Sequence, residues 1–173
     1  MELSNIPIKE LVELRNTISN MISSYDDGYL YICKVRSYGR NWTENHIKNV
    51  YELEELCDRY NGDDGIVDVY SNNPDLSRLD NYGEVCFIPT EEDYETWKHY
   101  TYLKKSIPQI EEDLDAWDNR ENVPFRSRPL FEPIYSREDL ENRKVELKHY
   151  EDLLSKGEFV KPVRVERVYD NED

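Results

Sequence analysis

The sequence predicts an α+β fold in one domain: a small mixed β-sheet of about four strands with helices packed on it, including a long helical hairpin. Three observations support this prediction. Apolar residues recur at three- and four-residue steps in four segments, as they do in amphipathic helices. Four shorter segments are rich in β-branched and aromatic residues, as strands are. The 173 residues suffice for one domain with its own core.

The first part of the chain, residues 1–89, is expected to be an αβαββ unit. Its first helix has an apolar stripe made of Leu11, Leu14, Ile18, Met21 and Ile22. A strand follows at 29–38, with Tyr31, Cys33 and Val35 on one face. Further strands are expected at 66–70 and 84–88.

A helix is predicted between the first two of these strands. Asn49 and Glu52 have the spacing of a capping box and place its start. Its buried stripe is expected to contain Val50, Leu53, Leu56, Cys57 and Tyr60. The strand–helix–strand order over 29–70 permits a right-handed parallel crossover.

The second part, residues 90–157, is expected to be an antiparallel helical hairpin. Thr90 and Asp93 open a helix that reaches about Asp118, and Pro108 is expected to kink or split it. Ser136 and Asp139 open the other helix. The two apolar stripes are Leu103, Ile107, Ile110, Leu114 and Trp117, and Leu140, Leu147, Tyr150 and Leu154. A proline-rich connector at 119–135, a final strand at 158–168 and an acidic tail at 169–173 complete the prediction.

Negative charge is concentrated in one window of this chain. Residues 44–119 hold 20 Asp and Glu against 6 Lys and Arg, which gives −14 of the total net charge of −16. A large field of one sign is typical of a surface that attracts a partner of the opposite sign. We therefore expect a basic protein surface as partner, and neither nucleic acid nor membrane.

Carboxylates of this window fall opposite the apolar stripes of the helices, and aromatic residues lie among them. An acidic rim around aromatic anchors is a plausible binding surface, and a solvated acidic face is the alternative. The candidate partner-binding residues are Glu54, Glu55, Asp58, Asp63, Asp64, Glu91, Glu92, Tyr94, Glu95, Tyr102, Glu111, Glu112, Asp113, Asp115 and Asp118. Acidic residues near a helix C-terminus are locally unfavourable, which favours a functional reading of 111–118.

No motif predicts catalysis, a metal site or a cofactor. Residues 61–65 depart from the calcium-loop pattern, and the three histidines lack zinc-site spacing. No phosphate-binding or nucleophile motif occurs. Cys33, Cys57 and Cys86 are expected to be free, buried thiols, and with no signal sequence or membrane span expected, this favours the cytoplasm.

In its charge layout the chain resembles the small acidic proteins with which phages and mobile elements block host nucleic-acid-binding machinery. These include anti-restriction and anti-CRISPR proteins that mimic nucleic acid. The resemblance implies a non-enzymatic inhibitor in the host cytoplasm that fills a basic groove through residues 44–119. One alternative is an adaptor that docks through its hairpin, 103–154. A third is a metal-dependent hydrolase that uses Asp63, Asp64, Asp68 and Glu84.

Overall fold

The α+β class is confirmed by the structure, a computed structural model that describes residues 7–36, 42–61, 66–78 and 83–165. These residues form four α-helices and a mixed sheet of five strands. They divide into two compact units, the first drawn from Met1–Glu91 and Pro162–Asp173 and the second from Glu92–Lys161. Asp63, Asp64 and the predicted acidic tail lie outside the described residues.

The helices and strands lie close to their predicted positions, with one added strand. The helices are α1 (Ile8–Ser24), α2 (Val50–Asn61), α3 (Glu91–Asp118) and α4 (Arg137–Lys156). The strands are β1 (Tyr31–Arg36), β2 (Thr43–Ile47), β3 (Ile66–Ser71), β4 (Val85–Phe87) and β5 (Val163–Arg164).

The sheet has the strand order β2–β1–β3–β4–β5. β1 is antiparallel to β2 and β3, β3 is parallel to β4, and β4 is antiparallel to β5. The parallel crossover that the strand–helix–strand order permits therefore does not form between β1 and β3. Since β2 and β3 both run against β1, they are parallel to each other, and α2 connects them. β2 was not predicted because Ile47 is its only large apolar residue.

The core of the first unit lies between the sheet and α2. Tyr31, Cys33 and Val35 of β1 are buried together with Leu53 and Cys57 of α2, as predicted. The Asn49 side chain accepts a hydrogen bond of 2.9 Å from the Glu52 amide and so caps α2 at the predicted position.

The apolar stripe of α1 is left largely in solvent. Leu14, Ile18 and Met21 are 42%, 47% and 66% exposed, and Leu11 is half-buried. The expected covering of the sheet by helices therefore holds for α2 and does not extend to this stripe. α2 packs on the face of β1 that carries Tyr31.

The second unit contains the predicted antiparallel hairpin. Leu103, Ile107, Ile110 and Leu114 of α3 are buried with Leu140 of α4. The expectation is that Pro108 kinks or splits the helix; α3 runs through Pro108 as one helix of 28 residues, so a split is wrong. Proline removes one backbone hydrogen bond, and burial of the apolar stripe on both sides of it holds the helix together.

Candidate protein-docking surface

Ion pairs across the hairpin fix the end at which α3 and α4 are joined. The Arg137 guanidinium lies 2.6 Å from carboxylate oxygens of both Asp115 and Asp118. Farther along, the Lys144 ammonium lies 2.9 Å from Glu111. The Ser136–Asp139 capping box starts α4 as predicted. These contacts set the helix ends between which the connector runs.

The connector has little regular secondary structure, and local hydrogen bonds stabilise it. It contains two 3₁₀ turns, Arg120–Asn122 and Phe125–Ser127. The Arg128 guanidinium donates hydrogen bonds to the carbonyl oxygens of Val123 and Glu121, at 3.2 and 3.5 Å. The Arg120 guanidinium lies 4.3 Å from the centre of the Trp117 ring. Three prolines restrict the backbone further, so the segment has fewer backbone conformations available to it.

Four large apolar side chains of this connector point into solvent. Phe125, Leu130, Phe131 and Ile134 are between 83% and 94% exposed. We call these four residues the connector surface. Side chains of this size are usually buried in a core or against a partner, and exposed apolar patches are typical of interaction sites. Of the four, Phe131 and Ile134 line the same hollow.

Two adjoining hollows lie beside the connector surface. One has a volume of about 230 Å³ and is lined by Ser106, Gln109, Ile110, Asp113, Pro133, Ile134 and Tyr135. The other, of about 290 Å³, is lined by Asp113, Ala116, Pro129, Phe131, Glu132, Pro133 and Ile134. Each hollow therefore has mostly apolar walls and at least one carboxylate. Hollows with mostly apolar walls and a few polar groups are typical of binding sites.

The candidate carboxylates at the end of α3 are partly used by the hairpin itself. Glu111, Asp115 and Asp118 form the ion pairs with α4, and Asp113 accepts a 3.0 Å hydrogen bond from Gln109. Cations of α4 offset the local cost of acidic residues at this helix end, so the expectation that these residues are unfavourable there is wrong. Glu112 is exposed, and no described cation lies within ion-pair distance of it.

The other candidate carboxylates are exposed or paired close by. In the first unit Glu54 and Asp58 are exposed, and Glu55 lies 3.9 Å from Arg59. Glu91 lies 3.1 Å from His46. In the second unit Glu92 is exposed, and Glu95 lies 3.1 Å from Lys98.

The two candidate tyrosines differ sharply in position. Tyr94 is fully buried, so its predicted role as a surface anchor is wrong; its ring belongs to the inner stripe of α3. Tyr102 is exposed and lies beside Arg143 of α4. Hydrogen bonds with Tyr135 and Arg143 lower the pKa of the Tyr102 hydroxyl. Tyr102 therefore lies on the side of the hairpin that also holds Tyr135, which lines the first hollow.

Asp68 and Glu84, two of the residues in the hydrolase alternative, and the three cysteines lie in or beside the sheet and α2. The Asp68 carboxylate accepts a 2.9 Å hydrogen bond from the Glu84 amide, which ties β3 to the start of β4. Burial raises the pKa of the Cys57 and Cys86 thiols to about 11 and also raises that of Cys33. All three thiols are free and buried, as predicted.

The connector surface was not predicted from the sequence, although a signal for it exists. Residues 125–134 contain four large apolar side chains and two prolines with neither a helical nor a strand period. A core residue normally belongs to a periodic element, so apolar residues in such a segment indicate a surface with another purpose.

No family model, curated protein or solved structure matches the chain. None of the helices in the described ranges is both long enough and apolar enough to cross a membrane.

Proposed function

We propose that this chain is a non-enzymatic binding protein that docks on a basic protein surface through the connector end of its hairpin. The observation that carries this proposal is the exposure of the connector surface next to two hollows with carboxylate walls. The docking region lies within the segment 103–154, which is the docking surface in the adaptor alternative.

The connector surface supplies the apolar part of the binding energy. Aromatic anchors that enter pockets dominate the energy of many interfaces, and Phe125 and Phe131 are of this type. The prolines and the backbone bonds of Arg128 restrict the connector before a partner arrives. Less conformational entropy is then lost on binding, which favours affinity.

Charge selects the partner class. Asp113 and Glu132 line the hollows, and Glu112 lies exposed on α3 beside them. The whole chain carries −16, so an acidic protein is repelled and a basic surface is attracted at long range. Charge thus determines the rate of encounter and the choice of partner, and the apolar anchors determine how long the complex lasts.

A finer candidate function is inhibition of a nucleic-acid-binding protein. Sites for single-stranded nucleic acid combine cations with aromatic platforms, and carboxylates beside apolar anchors complement both features. Glu54 and Asp58, one helical turn apart on the exposed side of α2, add an acidic row in the first unit. Occupancy of such a site excludes the nucleic acid without any chemical step.

The proposal is tested by affinity capture from cells of the organism that encodes the chain. The baits are the native chain, the triple variant Leu130→Ser, Phe131→Ser, Ile134→Ser, and the control Val145→Ser. Val145 is also apolar and exposed, on α4 outside the connector. A partner held by the native chain and by V145S, and lost with the triple variant, supports the docking surface. Equal capture by all three baits contradicts it.

Competition then separates inhibition from docking alone. If the captured protein binds nucleic acid, the chain and the nucleic acid should exclude each other in a gel-shift assay. Rising salt should weaken the complex, since exposed charges are screened over about 8–10 Å at physiological ionic strength. A stable ternary complex would contradict groove occupancy and leave docking intact.

A further inference from the structure

The exposed stripe of α1 has the spacing of a coiled coil. Leu11, Leu14, Ile18 and Met21 follow steps of three, four and three residues, which are the a and d positions of two heptads. Leu14, Ile18 and Met21 are exposed, and Leu11 is half-buried. A helix of 17 residues is marginal in water when its apolar face is not buried, so a surface that covers this face stabilises it.

The charges beside the stripe are complementary to those of a second copy. With Leu11 at position a, Glu10 is at g and Arg15 at the following e. In a parallel, in-register pair, a g residue of one helix faces the following e residue of the other. Glu10 therefore faces the partner's Arg15, and the two-fold axis repeats this pair.

Net charge also favours self-association at this helix. α1 contains Lys9, Arg15, Glu10 and Glu13 and is neutral, whereas the chain carries −16. Two copies repel each other through most of their surface and approach with the least repulsion at a neutral face. The ion pair between Lys9 and Glu13, at 4.0 Å, lies on the side of α1 away from the a and d positions.

We propose that α1 is a dimerisation helix that forms a parallel two-stranded coiled coil with α1 of a second copy of this chain. Leu11 and Ile18 occupy a, and Leu14 and Met21 occupy d. The dimer presents two docking units to a partner, so it raises the avidity for a repeated target.

Sedimentation equilibrium of the full chain provides the first test. Because only two heptads are available, we expect a reversible dimer that forms as the chain concentration rises from about 10 µM to 1 mM. Leu14→Glu with Ile18→Glu should give a monomer throughout this range. Asn16→Glu with Asn20→Glu adds the same charge outside the a and d positions and should still dimerise. A native chain that stays monomeric at about 1 mM, or a dimer that survives the Leu14 and Ile18 changes, overturns the proposal.

Charge exchange and crosslinking test the parallel register. Glu10→Lys alone should raise the dimer dissociation constant about threefold or more, and Glu10→Lys with Arg15→Glu should restore it. Leu14→Cys should form an intermolecular disulfide under mild oxidation, because d residues face each other across the axis. Asn20→Cys should not form one. Equal crosslinking at both positions, or no rescue by the double exchange, overturns the parallel arrangement. Circular dichroism of each variant verifies that the fold is kept.

Discussion

Replacement of the connector side chains should leave the fold nearly as stable as before. In the triple variant Leu130→Ser, Phe131→Ser, Ile134→Ser, the replaced side chains are 87%, 83% and 94% exposed. Complete burial of such a side chain contributes about 1.5–3 kcal/mol, and here less than a fifth of each is buried. The three together therefore contribute under about 1 kcal/mol to the free energy of unfolding.

Leu140→Ala is the matched core variant for this comparison. Leu140 is 1% exposed and packs between the two helices, so its loss should cost about 2–5 kcal/mol. Urea unfolding followed by tryptophan fluorescence measures both effects, since two of the three tryptophans, Trp97 and Trp117, lie on α3. A dye that binds exposed apolar surface should bind the triple variant less than the native chain. A loss above about 2 kcal/mol in the triple variant would show that the connector side chains support the fold, and would refute the docking surface.

Three further predictions concern charge and ionisation. Arg137→Met should lower the urea midpoint at low salt and do so less at high salt, since its ion pairs with Asp115 and Asp118 are exposed and screened; a salt-independent loss would contradict this reading. Burial raises the pKa of the Cys57 and Cys86 thiols to about 11, above the value near 8.5–9 of an unfolded chain. The stability that these two buried thiols contribute is therefore complete below about pH 8 and should be lost between roughly pH 9 and 11, by about 1.4 kcal/mol per pH unit for each proton that unfolding releases; urea midpoints that are flat from pH 8 to 10 would contradict the raised thiol pKa values. Glu112→Gln with Asp113→Asn should weaken partner binding by about 1–3 kcal/mol with little change in stability, measured by calorimetry and urea unfolding; unchanged affinity would move the binding site away from these carboxylates.

The periodic elements could be predicted because local pattern decides them. The stripe of α2 and the capping residues Asn49 and Ser136 are visible in the sequence, and the structure uses them as expected. β2 could not be found in this way. It pairs with β1 at the edge of the sheet, and its side chains carry almost no apolar pattern.

Long-range pairing explains most of the remaining differences. Acidic residues at the C-terminal end of α3 are unfavourable within that helix alone. Ion pairs with Arg137 and Lys144 of α4 offset this cost. Tyrosine is a residue type common at interface anchors, but Tyr94 lies on the buried face of α3. The amphipathic period of α1 predicts a buried stripe, and it does not reveal that Leu14, Ile18 and Met21 stay exposed in the folded chain.

The central claim is that the connector surface recognises apolar and basic chemistry together, and peptide titration by NMR tests it most directly. Two peptides of equal length and charge are compared, one that alternates arginine with leucine and one that alternates arginine with serine. We predict saturable amide shift changes around Ile110, Asp113 and Ile134 with the leucine peptide only, lost in the triple variant. Equal shifts with both peptides, or shifts centred on Glu54 and Asp58 of α2, would contradict the claim and favour recognition by charge alone.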